Sequence, residues 1–230
     1  MRWICSPDSM DAFAARYLRE IGVVTPIHAA DLAAASDPAG AAQTPQARMA
    51  MLAEQARECR RCALAETRTQ VVFGVGDPTA DLVLIGEAPG RDEDLKGEPF
   101  VGKAGQLLDK MLAAIGLDRS RVYIMNTIKC RPPGNRDPQP DEVAACHDWF
   151  VRQLSILQPK VICLLGRVAA QKVLATDAPL RSLRGRWHEL DGVPVLVSYH
   201  PAYLLRSPAQ KRHSWEDLLR LRKHLPASAG

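Results

Sequence analysis

Long apolar runs are missing from this chain. Nowhere do about 18 consecutive apolar residues occur, the least that a bilayer-crossing helix needs, so a membrane span is excluded. The opening Met1-Arg2-Trp3-Ile4-Cys5-Ser6-Pro7-Asp8 lacks the apolar stretch of a secretory leader, and a soluble, intracellular protein is the expectation. Internal repeats are absent as well. Charge of one sign is in short supply: the net charge of +4 and the pI near 8.8 are weak pointers to nucleic acid on their own. Cysteine is sparse, with six in 230 residues. In a reducing compartment an even count does not imply disulfides, and clustered cysteines read as metal ligands.

What is present suffices for one substantial core, or one core with a small appendage, since 47% of the residues are hydrophobic and 24% charged. Asp8–Ile21 reads as a short helix with Phe13, Tyr17, Leu18 and Ile21 on one face. The stretch from Ala33 to Pro45 is small, polar and aperiodic, the composition of a flexible linker. Residues 1–45 are therefore expected to be an extension and linker, and residues 46–230 the main domain. Positive charge gathers late in the chain. From Arg181 to Lys223 nine Lys or Arg face four Asp or Glu, with Arg181, Arg184, Arg186, Arg206, Lys211 and Arg212 in the surplus. That surplus suits a solvated face and a phosphate-binding face equally well.

Past the linker, Gln46–Glu58 looks helical and delivers Cys59 and Cys62. Strands and helices then alternate. The apolar runs Asp81–Gly86, Val122–Met125 and Lys160–Leu165 read as buried strands, and Lys103–Ile115, Asp141–Leu157 and Arg167–Leu174 as helices between and after them. Trp187–Leu190 and Pro194–Ser198 flank an Asp191–Gly192 turn and suit a hairpin, and Pro208–Leu225 closes as a basic helix. Such alternation predicts a mostly parallel sheet covered on both faces. In these folds the site lies at the carboxyl ends of the strands. Three loops there hold the unusual residues: Gly86–Gly105, Asn126–Asp141 and Ser198–Pro208.

Four cysteines are spaced C-x2-C (Cys59, Cys62), a long gap, then C-x15-C (Cys130, Cys146). Such thiolate sets suit zinc or an iron–sulfur cluster, and spacing does not choose between them. Unrelated buried cysteines are the plain alternative. Cys163 takes that reading, inside Val161-Ile-Cys-Leu-Leu165, and Cys5 has no evident partner.

In the first loop Glu87 leaves a buried strand where a carboxylate can hold or activate a water. Gly86, Pro89 and Gly90 around Ala88 allow backbone to approach a ligand, and the acids of Asp92–Asp94 read in part as a helix cap. Phe100, between Pro99 and two glycines, is a core anchor or a ring for stacking a base. In the second loop Asn126 carries donor and acceptor for a pyrimidine edge, or else simply forms a turn. Arg131 and Arg136 on the proline-rich segment would suit phosphates. In the third, His200 before Pro201 is a candidate electrostatic catalyst or a structural histidine. Tyr203, Leu204 and Leu205 beside Arg206 make an apolar bump of the kind that opens a base stack.

Together, Gly86-Glu-Ala-Pro-Gly90, Pro99-Phe-Val-Gly-Lys-Ala-Gly105, Asn126 with Lys129-Cys-Arg-Pro-Pro133, and His200-Pro-Ala-Tyr-Leu-Leu-Arg206 resemble the family 4, iron–sulfur uracil-DNA glycosylases of bacteria and archaea. The match runs in order from about Gln46 to Leu225 and includes both cysteine pairs. The resemblance implies a three-layer α/β/α fold with a central, mostly parallel four-stranded sheet of the uracil-DNA glycosylase type. It implies a structural [4Fe–4S] cluster on Cys59, Cys62, Cys130 and Cys146, in preference to zinc. It implies that Glu87 handles the water, Phe100 stacks on uracil, Asn126 reads its pairing edge, and His200 stabilises O2, with backbone at Ala88 and Gly90 close by. Leu204 would be the wedge, with Leu205 or Tyr203 able to share that work, and Arg206 and Arg131 would face the phosphates. The implied partner is uracil-containing DNA, single- or double-stranded, acted on by a cytoplasmic monomer.

Three rivals remain for comparison. A relative that traps its product covalently needs a histidine in the loop after the second strand, and Arg131–Pro140 has none. A metal-stabilised DNA-binding or DNA-sensing module without catalysis would be favoured by loss of Glu87, Asn126 or His200, and all three are present. Similar domains occur in phage DNA polymerases, for which this chain is too short.

Overall fold

A computed structural model describes residues 43–225. The expected helix Asp8–Ile21 and all but the last residues of the expected linker lie outside this range. Helix α1 (Pro45–Arg57) opens the fold, with Thr44 capping its first turn through an Ala47 N–H donated at 3.2 Å. Short α2 (Leu64–Thr67) follows the first cysteine pair, then β1 (Val75–Gly76) and β2 (Leu82–Gly86). Next come α3 (Arg91–Lys96), α4 (Lys103–Ala113), β3 (Tyr123–Asn126), α5 (Pro140–Leu157), β4 (Val161–Leu165) and α6 (Arg167–Val173). The chain ends in α7 (Leu180–Leu183), the hairpin β5 (Trp187–Leu190) and β6 (Val193–Ser198), α8 (Pro201–Arg206) and α9 (Lys211–His224).

The strand order is β1-β3-β2-β4-β6-β5. The inner four strands are parallel, with Gly86 opposite Asn126 and Leu165 opposite Ser198, and the two outer strands run antiparallel. The four-stranded parallel core is thus as expected, and two short edge strands widen it to six. Alternation along each strand divides the core. Val83, Ile85, Ile162, Leu164, Val195 and Val197 pack on one face with α1, α5 and α6, while Leu82, Leu84, Cys163, Leu165 and Leu196 pack on the other with α4 and α9. That makes three layers, and Cys163 is a core residue in the middle one. Among the described residues no helix is long and apolar enough to cross a membrane.

Two segments read as loops contain short helices. Gly90 caps α3, whose first turn carries Asp92, Glu93 and Asp94, and Gly97 in the left-handed region ends it. Helix α8 starts with His200 as its cap and Pro201 at its first position, where proline needs no amide partner.

Candidate active site

Strand register builds the site. Because Gly86 lies opposite Asn126, the residues that leave β2 and β3 emerge side by side. The Thr127 amide donates to the Gly86 carbonyl at 3.0 Å. The Ile128 amide at 3.2 Å and the Thr127 hydroxyl at 2.7 Å both donate to the Glu87 carbonyl, joining the first loop to the second. A cavity of about 440 Å³ opens above these ends, lined by Glu87, Ala88, Gly90, Phe100, Asn126 and His200, with Tyr203 and Arg206 at its rim. Every residue expected around a pyrimidine therefore borders one hollow. A larger hollow of about 810 Å³ opens by Asp77, Asp81 and Arg222. It lies at the amino end of β2, away from the carboxyl ends where α/β sheets build their sites.

Phe100 is buried, with its backbone in the left-handed region at φ 56°. Arg119 fixes that backbone by donating to the carbonyls of Pro99, at 3.1 Å, and Phe100, while its Nε bonds Asp109 at 2.7 Å. Gly105 is required beneath, since a Cβ there would stand 1.6 Å from the Phe100 carbonyl oxygen. Phe100 is both core anchor and cavity wall: its ring stacks on His200, with centroids 5.4 Å apart at 30°. Glu93 closes the loop around it, accepting from the amides of Gly90 (3.2 Å), Val101 (2.9 Å) and Gly102 (3.1 Å).

The His200 ring is oriented by its own helix. Its Nδ1 accepts the Ala202 amide at 3.1 Å, so in the neutral ring the proton sits on Nε2 and that nitrogen is a donor. Burial, and then the Arg206 cation, push its pKa down to about 4, against a smaller opposing effect of Glu93. Glu87 moves the other way: burial first, then the Asp137 carboxylate, push it up to about 7, while Arg167 pulls it back. Arg167 pairs with Asp137 at 3.0 Å. Neutral imidazole donor, half-buried carboxyl, amide and aromatic face meet around one space.

Some expected residues fall elsewhere. Leu204 is 1% exposed and packs in the core under α8, so it does not reach a base stack here, whereas Tyr203 is 36% and Leu205 43% exposed. Helix phase is the reason. Arg131 does not line the cavity and donates to Asn135 at 2.7 Å. Arg136 does border the cavity, but its guanidinium is held by the buried Glu142 carboxylate, with contacts of 2.8 and 2.5 Å. Glu93, one of the acids read as a helix cap, is indeed the third helical residue after Gly90, and the structure adds its hold on Val101 and Gly102. Arg119, Asp137 and Arg167, which sequence reasoning passed over, carry no local signal.

Cys59, Cys62, Cys130 and Cys146 all line a third hollow, beside Arg68, Lys129 and Trp149. Three N–H groups point at its sulfurs: Arg68 Nη1 to Cys130 (3.2 Å), the Lys129 amide to Cys146 (3.3 Å) and Trp149 Nε1 to Cys59 (3.2 Å). Among the described residues no three His, Cys, Asp or Glu side chains form a group that could hold a single metal ion. Four soft donors around one hollow, with hydrogen-bond donors turned toward sulfur, are a donor set of the kind that holds a thiolate-bound metal group.

The family model described as the uracil DNA glycosylase superfamily matches residues 73–219 of the chain. This chain belongs to that superfamily. The matched span of the glycosylase fold runs from just before β1 into α9 and contains every cavity residue named above. Within the superfamily the chain is similar to a type-4 uracil-DNA glycosylase of Archaeoglobus fulgidus, 50% identical over 69% of this chain and 83% of the relative. It is 41% identical to that of Thermotoga maritima, over 69% and 84%, and 39% identical to that of Sulfurisphaera tokodaii, over 74% and 81%.

Proposed function

We propose that this glycosylase-superfamily chain excises uracil from DNA by hydrolysing the N-glycosidic bond, leaving an abasic site for base excision repair. The observation that carries this reading is the meeting of Glu87, Phe100, Asn126 and His200, drawn from three strand-end loops, around one cavity. The type-4 names of relatives up to 50% identical support it.

The residues suit the reaction step by step. An extruded uracil lies against the Phe100 ring, and the Asn126 amide pairs with its Watson–Crick edge. The bond from C1′ to N1 breaks with its electron pair passing to the base. His200 Nε2–H donates to the oxygen where that charge gathers, and a neutral donor is preorganised for this at no cost in proton transfer. Water held by Glu87 adds its oxygen to C1′, and its proton passes to the Glu87 carboxylate. No enzyme atom bonds to the sugar, so no covalent intermediate forms and the strand is not cut. Flipping the nucleotide costs a few kcal/mol, less at a mismatch, and contacts at the rim offset it.

Cys59, Cys62, Cys130 and Cys146 would hold a [4Fe–4S] cluster. When bound, that cluster would supply a structural cross-link from the segment after α1 to the β3–α5 connection and to α5 itself. The cavity residues named above all come from one chain, in keeping with a monomer, and DNA as substrate suits a reaction inside the cell.

The test is direct. Anaerobically purified protein is incubated with labelled oligonucleotides bearing a single uracil or thymine, then treated with hot alkali. Alkali-labile product from uracil alone is expected. Its absence overturns the enzymatic reading and favours a DNA-binding module.

A further inference from the structure

A buried polar cluster behind the cavity has no part in the reaction above. Asp217, on the inner face of α9, is fully buried, and its Oδ2 accepts from the Ser198 hydroxyl at 2.8 Å. The same oxygen lies 3.3 Å from Arg184 Nε. Arg184 directly follows α7, and its Nη2 donates to the His213 carbonyl at 3.0 Å. Ser214, one turn before Asp217 and also buried, stands 3.3 Å from the Ser198 hydroxyl. Helix α9 therefore grips two separate segments, the end of β6 and the turn that leads into β5.

Both grips act on the residues that deliver the imidazole. Ser198 is the last residue of β6, and His200 comes two positions later. The Ser198 carbonyl accepts from the Gly166 amide at 2.9 Å, so this residue is fixed at backbone and side chain together. Next in the chain is Tyr199, whose ring centroid lies 4.9 Å from the Arg184 guanidinium. His200 itself sits against the turn after β4, where a Cβ on Gly166 would stand 3.0 Å from its own Cβ. A buried ion pair is seldom the most stable filling of its space. This one is not arranged for stability. The Arg184 Nε contact lacks the alignment of a hydrogen bond, and Asp217 Oδ1 has no hydrogen-bond partner among the described residues. Apolar side chains would pack there at less cost, but they would leave the Ser198 hydroxyl without its acceptor.

We propose that Asp217 is a positioning residue for His200, setting through Ser198 and Arg184 where the end of β6 delivers the imidazole donor. The assignment rests on the glycosylase reading and deepens it. Charge on a departing base is stabilised by a donor that already stands in the right place. A misplacement of about 1 Å costs about 10²-fold in rate. Asp217 lines no part of the cavity, so its effect on the reaction passes through His200 alone.

The test measures single-turnover uracil release and DNA Kd, in the original protein and in a His200→Ala background. Asp217→Asn should slow release about 10–10²-fold in the original protein. It should change Kd by less than about twofold, and should cost His200→Ala nothing further. Ser198→Ala should act in the same direction, and Ser198→Thr, which keeps the hydroxyl, should restore the rate. Glu216→Ala, beside Asp217 on the exposed side of α9, should leave release unchanged. The ring nitrogen resonances of His200, identified by their absence from His200→Ala, should move in Asp217→Asn and in Ser198→Ala. Equal losses in the two backgrounds overturn the proposal, because a merely structural role does not depend on His200. So do unchanged release in both variants, or resonances that stay in place. If Asp217→Asn does not fold, Ser198→Ala carries the same comparison. Failure of the glycosylase reading looks different: no oligonucleotide releases uracil, and the resonances then decide the positioning by themselves.

Discussion

Glu87 should set the pH dependence of uracil release. The carboxylate is the form that accepts a proton from water, and burial holds the group up to about 7, where an exposed glutamate would already be ionised. With that midpoint the ionised fraction falls from about nine-tenths at pH 8 to about one-tenth at pH 6, so the rate should drop about tenfold over that interval. His200, pushed down to about 4, stays neutral throughout and adds no step. Glu87→Gln should flatten the profile and lower its plateau by about 10²–10⁴-fold. The neighbours give the sign a second check. Asp137 raises the Glu87 pKa and Arg167 lowers it, so Asp137→Asn should move the midpoint down. Arg167→Ala should move it up, because it removes a cation and also frees Asp137 from its ion pair. Single-turnover release with saturating enzyme, at constant ionic strength from about pH 5.5 to 8.5, separates the chemical step from binding. A flat profile in the original protein, or a limb that survives Glu87→Gln, refutes the assignment.

The same shift has a thermodynamic face. A carboxyl whose pKa is raised on folding favours the folded state below its unfolded value, and that contribution is lost as pH rises through the folded value. The folded chain should therefore lose stability between about pH 5 and 8 on account of Glu87. Glu87→Gln, which cannot ionise, should raise the melting temperature at pH 8, with the gain vanishing toward pH 5. Loss of activity together with gain of stability marks a residue kept for chemistry.

Other perturbations probe the rest of the site. His200→Ala removes the donor to the departing base and should cost about 10²–10³-fold in kcat, with DNA affinity retained; an unchanged kcat would remove His200 from the mechanism. Gly86→Ala would place a Cβ 2.4 Å from Asn126 Oδ1 and 2.7 Å from Phe100 Cζ. Both cavity walls must then shift, so single-turnover release should fall by about 10²-fold, while thermal unfolding shows a loss of about 1–3 kcal/mol. Cys130→Ala should bleach the brown absorbance of a cluster and lower the unfolding midpoint along with activity, because metal binding and folding are coupled; full stability without colour would refute a structural role.

Much of this was readable in the sequence, for physical reasons. Buried parallel strands are short apolar runs, so β2, β3, β4 and β6 stood out, and with them the loops at their carboxyl ends. Glycine and proline then marked where backbone must turn closely. The two residues of β1 carry no period at all, and its pairing with β3 is decided by the sheet. Helix α8 is six residues long, too short for a 3.6-residue period to show. Read as a loop, Tyr203, Leu204 and Leu205 were interchangeable; as a helix they face the cavity, the core and the solvent. Nothing in the sequence ties Arg119 to Phe100, because the bond joins residues 19 apart through main-chain carbonyls. The donor nitrogen of His200 likewise follows from an amide two residues along, which becomes available only when α8 begins.

The cavity and the thiol-lined hollow share one short segment. Asn126 and Cys130 are four residues apart, and Lys129 lies between them, fully buried. Its amide donates to Cys146 Sγ at 3.3 Å, its carbonyl accepts from Val72 at 2.8 Å, and its Nζ turns back to the Asn126 carbonyl at 2.7 Å. The ammonium lies 5.8 Å from the rings of both Phe73 and Phe150. Burying a lysine is costly, and an apolar side chain would fill that space at less expense. What an apolar side chain lacks is a donor for the Asn126 carbonyl. Asn126, proposed to read the base, is thereby braced from behind by a residue that also hydrogen-bonds a cysteine sulfur. Lys129 thus links a thiol to the cavity floor through two hydrogen bonds, and a cluster bound at the thiols would stiffen the strand end that carries Asn126.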